Sequence, residues 1–444
     1  MAADDHESRL SRLARLGRLT GKVGSAYVGQ KVREVFLDSE TRRRARERLH
    51  VDNAREVVQT LGRLKGAAMK VGQQFAMVSE QFDMPPEVAR VLGRLHARAE
   101  AVPFPTIRGE IERELECSLQ DAFDWFDPLP LGTASLGQAH AARLEDGTDV
   151  VVKVLHQGVD TSVDTDLMAL KALLMGSVAF RRDRAEVDML FDEIAERLRE
   201  ELDYVQEAAN IESFRQAFGD DPRIRLPAVI ASHSTSRVLT MTRLHGKPLS
   251  EFLEHASKEA RGRAGVHLAE LYYEMVFRHR LLHADPHPGN YLYEDDGRVG
   301  LIDFGCVKRF DEYWIAHYAR AAVAALEHDK TGVLDSCRAI GGWMGDTPEA
   351  GDALYAFCDL IAEPYRVDVY TLGDQGESMI ERVQGPIREI MRYPEVRIPR
   401  DLLFLHRSLG GLYGMARQLR TTANFGSILR TNAEYAVARA EGKL

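Results

Sequence analysis

Cysteine is scarce in this chain. Its 444 residues hold four, Cys117, Cys306, Cys337 and Cys358, with no C-x-x-C pair among them. That excludes a disulfide frame and points to reduced thiols in a cytoplasmic protein. Long apolar runs are missing too. The nearest one, "ALKALLMGSVAF", carries Lys171 and falls short of the roughly 18–20 residues that cross a bilayer as a helix. "MAADDHESRL" has neither the basic start nor the apolar core of a secretory leader, so none is expected. There is no internal repeat and no low-complexity linker. What is present is ordinary for a soluble globular protein, 45% apolar and 28% charged residues, in a length that allows two or three domains.

Charge is uneven. Residues 1–70 carry sixteen Lys/Arg against nine Asp/Glu, a balance of +7; the whole chain is at −10, which leaves −17 for the rest. "RLSRLARLGRLTGK" sets leucines at 10, 13, 16 and 19, with Arg9, Arg12, Arg15, Arg18 and Lys22 between them. A basic amphipathic helix of this kind suits an anionic membrane surface. It equally suits a helix packed on its own domain with its arginines in water, and both readings stay open. No nucleic-acid partner is expected.

Periodicity divides the chain. A basic segment covers 1–52. A helical extension covers 53–125, where Val57, Val58, Leu61, Leu64, Ala68, Val71 and Phe75 recur at helical spacing. "FDMPPEV" and "AVPFP" interrupt it, as prolines at helix starts do. From 126 to 246 the pattern is β-rich with inserted helices. "QAHAARLEDGTDVVVKVLH" predicts a hairpin turning at "EDG". A long helical stretch follows from about Asp164 to Phe218. Residues 247–444 are mainly helical, with a second hairpin in "NYLYEDDGRVGLIDFG". The expected fold class is α+β.

The chemistry gathers around that second hairpin. "HADPHPGN" offers Asp285 and, five residues on, Asn290; "LIDFG" ends a strand at Asp303. In protein-kinase-like enzymes a loop Asp and an Asn five residues later precede an Asp-Phe-Gly on the next hairpin. There Asp285 would accept or orient the proton of an attacking hydroxyl. Asn290 and Asp303 would give Mg²⁺ its oxygen ligands. This reading requires a lysine on an upstream strand, and "DVVVKVL" supplies Lys153. A lysine among valines needs a partner; Glu207, in "ELDYVQEAAN", is the expected one. The turn Gly132-Thr133-Ala134-Ser135 would lie against nucleotide phosphates. "VLTMTRLHGKPL" has the form of an adenine hinge, with Met241 behind the pocket and the backbone of Thr242 and Leu244 facing the base. A rival reading takes His283, Asp285 and His287 as metal ligands, since H-x-D-x-H fits a metal loop.

Together these motifs resemble the UbiB/AarF family of atypical kinase-like proteins, including its coenzyme Q biosynthesis branch. The likeness runs from about Asn53 to the C-terminus. "KVGQ" resembles the family's K-x-G-Q signature, with Lys70 and Gln73 one turn apart on a helix. "TASLGQAH" resembles its alanine-rich nucleotide loop, here with Gly132 and Thr133 where the family usually has alanines. "ELDYVQEAAN" resembles its E-x-D motif, Glu201 and Asp203, with Glu207 beside it. The resemblance implies a two-lobe protein-kinase-like fold binding ATP or ADP with Mg²⁺. It further implies that the helix of Lys70 and Gln73 covers the site near Glu201 and Asp203 and keeps protein substrates out. "DFGCVKRF" runs straight towards helix with no A-P-E motif, which also disfavours a peptide substrate. The expected function is an atypical kinase or ATPase supporting isoprenoid-quinone or other lipid metabolism. Its partners would be a lipid or quinone precursor, enzymes of that metabolism, and a membrane surface touched peripherally from the cytoplasm. Two alternatives remain: a non-catalytic nucleotide-binding regulator, and a small-molecule phosphotransferase of the aminoglycoside or choline kinase type.

Overall fold

The computed structural model describes residues 101–133, 136–159, 201–373 and 379–443, with isolated positions between 167 and 199. In chain order, the elements that matter below begin with α1 (Phe104–Leu115), β1 (Trp125–Thr133), β2 (Gly137–Arg143), β3 (Asp149–Leu155), α2 (Tyr204–Phe218), β4 (Ile224–Arg225) and β5 (Val238–Thr242). They continue with α3 (Lys258–Phe277), β6 (Leu281–His283), β7 (Tyr291–Tyr293), β8 (Val299–Leu301), β9 (Val307–Arg309), α4 (Glu312–Leu326) and α5 (Arg400–Gln418). The chain divides into two compact units. The first takes the residues up to Glu207 together with Val229–Arg243; the second takes Ala208–Ala228 and everything from Leu244 onward.

In the first unit, β1, β2, β3 and β5 form an antiparallel sheet in that order. The valines of β3 make it a strand, since β-branched side chains favour the pleated surface. Val150, Val152 and Val154 are fully buried and belong to one cluster with Ile107 and Ile111 of α1. Those two isoleucines are four apart and share a helix face. Each buried valine contributes about 1.5–3 kcal/mol over an exposed one. α1 starts with a proline in its first turn and stops where Glu116 turns left-handed at φ 57°. Between β2 and β3 the chain turns through Leu144–Thr148, and Gly147 takes the positive φ of 87° that glycine tolerates. This is the hairpin expected at "EDG".

Two features depart from the sequence pattern. β1 was not anticipated: Pro128 and Pro130 argue against a strand. They are accommodated because β1 lies at the sheet edge and slips register on either side of Pro130. The expected helix from 164 to 218 falls largely outside the described residues, and its described part is interrupted at Leu202–Asp203 before α2 begins.

The second unit carries an antiparallel β6–β9 pair and a three-stranded sheet ordered β4-β8-β7, in which β4 runs parallel to β8. Phe252, Phe277, Tyr293 and Phe304 are among its fully buried side chains. Only Phe310 and Asp311 separate β9 from α4, and Asp311 caps that helix by accepting from the Trp314 N–H. The α+β class is the one observed. The unit boundary falls between Arg243 and Leu244, inside the expected hinge. Ala208–Ala228, assigned above to the β-rich region, packs with the second unit. No helix among the described residues is long and apolar enough to cross a membrane.

Candidate active site

The first unit positions the lysine. Strand register sets Gly132, Ala139, Lys153 and Leu239 in one row across the sheet. Met241 lies two residues beyond Leu239, opposite Val151, and so shares their face. The opposite face is the one α1 covers. Lys153 Nζ donates to Glu207 Oε1 at 2.5 Å, with the two side chains 13% and 5% exposed. Asp203 sits one turn ahead of Glu207. Its Oδ1 accepts from Gln206 N–H at 2.8 Å and its carbonyl from Glu207 N–H, so it caps α2. Glu201 is half-buried just before this cap. Thr133 pairs with Gln138, and Thr242 with Val150. Leu244 falls in the second unit and is half-buried. Lys70, Gln73, Ala134 and Ser135 lie outside the described residues.

The second unit positions the loop. The prolines of "HADPHPGN" rule out helix and strand, and the loop closes on itself instead. His287 Nδ1 accepts from Gly289 N–H at 3.1 Å, capping the short turn Pro288–Asn290. That turn aims the Asn290 amide back: its Nδ2 donates to Asp285 Oδ2 at 2.8 Å and to the Asp285 carbonyl at 3.2 Å. Buried His283 donates from Nε2 to the Asp303 carbonyl. Asp303 Oδ1 accepts from Gly305 N–H at 3.1 Å. Phe304 is fully buried against Phe214, ring centroids 5.2 Å apart.

The structure therefore brings Lys153 together with Glu207, and, separately, Asp285, Asn290 and Asp303 into one loop system. It does not gather His283, Asp285 and His287 as a set of metal ligands. Among the described residues no three His, Cys, Asp or Glu side chains are grouped to hold a metal ion. An oxygen set is a different matter. The Asn290 nitrogen is committed to Asp285, which leaves its carbonyl oxygen, with the Asp303 carboxylate, as donors of the kind magnesium takes.

Sequence reasoning passed over two groups. Asn210 is buried and donates from Nδ2 to the Phe304 carbonyl at 2.9 Å. Its signal was its place in the quoted "ELDYVQEAAN", one turn after Glu207. Gln138 and His140 sit on the α1 side of β2. Gln138 Oε1 accepts from Val102 N–H at 2.9 Å, its Nε2 meets His140 Nε2 at 2.8 Å, and His140 Nδ1 meets the Asp127 carbonyl at 2.9 Å. Burial holds the His140 imidazole below its usual pKa.

A sheet lysine paired to a helix glutamate, and an Asp-x4-Asn loop leading to a pinned Asp-Phe-Gly, are the parts of a kinase-like enzyme. The comparisons give that class a family. A model of the ABC1 atypical kinase-like domain matches residues 94–337. The chain is 30% identical over 410 residues to the mitochondrial atypical kinase COQ8B of Rattus norvegicus, covering 91% of this chain and 77% of that one. It is 27% identical over 433 residues to the mitochondrial atypical kinase COQ8 of Saccharomyces cerevisiae, covering 97% and 86%. Among solved structures, the Rv3197–erythromycin complex from Mycobacterium tuberculosis superposes with a TM-score of 0.59 at 27% identity, covering 83% and 92%. This chain belongs to the ABC1 atypical kinase-like family, in agreement with the UbiB/AarF resemblance of its motifs.

Proposed function

We propose that the protein is an atypical kinase or ATPase that takes ATP or ADP with Mg²⁺ and supports isoprenoid-quinone or other lipid metabolism. The observation that carries this reading is the Asp285–Asn290 hydrogen bond in a loop that also fixes Asp303. Asp285 accepts or orients the proton of an attacking hydroxyl. Asn290 and Asp303 hold the magnesium, which when bound offsets charge on the phosphates. Lys153, steadied by Glu207, offers its ammonium to phosphate oxygens. Gly132 and Thr133, which close β1, with Ala134 and Ser135 next in sequence, let backbone approach those phosphates; Met241 lies behind the pocket, and the backbone of Thr242 and Leu244 faces the base. Lys70 and Gln73, with Glu201 and Asp203, shield the site from protein substrates. The two-residue link from β9 to α4 supports the same exclusion, because it leaves no peptide-docking loop.

The relatives' names, COQ8B and COQ8, support the quinone branch. The basic N-terminal segment supports peripheral contact with an anionic membrane from the cytoplasm, where quinone or lipid enzymes would be partners. The erythromycin complex of the solved relative favours a second reading of the acceptor, a large amphipathic small molecule.

Isothermal titration of ATP and ADP, with and without magnesium, tests the site. The expected result is metal-dependent affinity that Asp303→Ala abolishes; equal affinity in both conditions overturns the proposal. Phosphate release measured with lipid vesicles, quinone precursors and erythromycin in turn separates the acceptors. Its absence under all conditions would leave a nucleotide-binding regulator.

A further inference from the structure

Three glycines, Gly410, Gly411 and Gly414, fall within two turns of α5. A glycine inside a helix costs about 1 kcal/mol relative to alanine, so each raises the question of what it permits. A Cβ placed on Gly410 or Gly414 would meet nothing within 4 Å. A Cβ on Gly411 would lie 2.4 Å from Pro286 Cγ, 2.5 Å from Pro286 Cβ and 3.1 Å from its carbonyl oxygen. Pro286 directly follows Asp285.

Several contacts hold the helix against the loop and its neighbours. Tyr272 of α3 donates to the Leu405 carbonyl at 3.0 Å. Asp401 pairs with Lys308 of β9 at 3.0 Å. Tyr293 of β7 donates to Met415 Sδ at 3.6 Å. Leu405, Leu412 and Met415 are buried, and Leu412 lines a small internal cavity with His283 and Tyr291. One helix thus backs the residue that precedes the loop, the loop itself, and the strand that follows it.

We propose that Gly411 is a positioning residue for the reaction: its bare backbone is the stop against which Pro286 rests, and that stop sets Asp285 relative to Asn290 and Asp303. The role rests on the reading of Asp285 given above. A methyl group at 411 must push Pro286 away by about 1 Å to regain ordinary contact, and a displacement of that size costs on the order of 100-fold in rate.

The test uses the full chain and the variants G410A, G411A, G414A and D285N. Nucleotide turnover, Mg²⁺–nucleotide affinity, melting temperature and amide hydrogen exchange are compared. G410A and G414A should keep parental turnover and melt at or slightly above the parent. G411A should lose about 100-fold in kcat while keeping its nucleotide affinity and its cooperative melt. Without nucleotide, the Asn290 amide, bonded to the His287 carbonyl, should exchange roughly tenfold faster in G411A than in G410A. Parental kcat and parental exchange in G411A would overturn the proposal. So would a fall in nucleotide affinity that matches the fall in kcat. If G411A does not fold, Pro286→Ala trims the same contact from the loop side. It should lower kcat with affinity kept, and unchanged kcat would count against the role. Inactive D285N beside fully active G411A sinks the positioning role alone; active D285N sinks the reading of the loop and this role with it.

Discussion

In the first unit Lys153 is held by a carboxylate that lies 54 residues further along the chain, a contact of 2.5 Å between two largely buried charges. In the second unit Asp285 sits in a loop fastened mostly to main chain. His283 donates to the Asp303 carbonyl, Asn210 to the Phe304 carbonyl, Asn290 to the Asp285 carbonyl, and Ala284 N–H to the Cys306 carbonyl. The lysine is thus held through a side-chain charge pair, and the loop through several hydrogen bonds to main chain. A buried ion pair that loses one member leaves the other charge desolvated, so the fold suffers. A loop pinned at several points keeps its shape when one reactive atom changes, so the chemistry suffers alone.

The largest effect should come from Asp285→Asn. Turnover should fall about 10²–10⁴-fold, the range for a lost proton acceptor, while the melting temperature stays within about 2 °C of the parent. A drop in stability comparable to the drop in rate would erase the contrast. Glu207→Ala should act the other way, lowering unfolding free energy by about 3–5 kcal/mol in urea titrations. A parental midpoint would mean that the pair matters little to the first unit. Asn210→Ala should cost about 1–3 kcal/mol, because the Phe304 carbonyl is left buried without this donor. If it costs nothing, the loop is held by fewer bonds than its geometry suggests.

The smallest effect concerns His140. Burial depresses its pKa, so the folded protein binds that proton less readily than the unfolded chain. The unfolded chain takes up a proton as pH falls through about 6.5, and the folded chain resists. Stability is therefore full above that pH and declines below it, by up to about 1.4 kcal/mol per pH unit. His140→Gln should flatten the decline between pH 7 and 5 in thermal melts; an unchanged slope would assign it to other groups.

Much of this was legible in the chain. The β2–β3 turn announced itself through Gly147, and Asp285, Asn290 and Asp303 stood close enough in sequence to be read as one system. Local spacing carries such information directly. β1 was hidden because Pro128 and Pro130 contradict strand propensity, and only the sheet edge excuses them. The capping of α2 by Asp203 was hidden for another reason. An acidic residue before a helix serves equally as cap and as ligand, and the choice depends on where the helix begins. The contact of Gly411 with Pro286 joins residues 125 positions apart, and no periodicity reports a pairing of that kind.

The short passage from Arg309 through Phe310 and Asp311 into α4 has a consequence for control. A segment that is regulated by ordering and disordering needs slack, a stretch long enough to hold two shapes. Here the strand hands over to a capped helix after two residues. The stretch holds no hydroxyl side chain to phosphorylate and no slack to order or release. This link therefore offers no order–disorder switch between the strand and the helix.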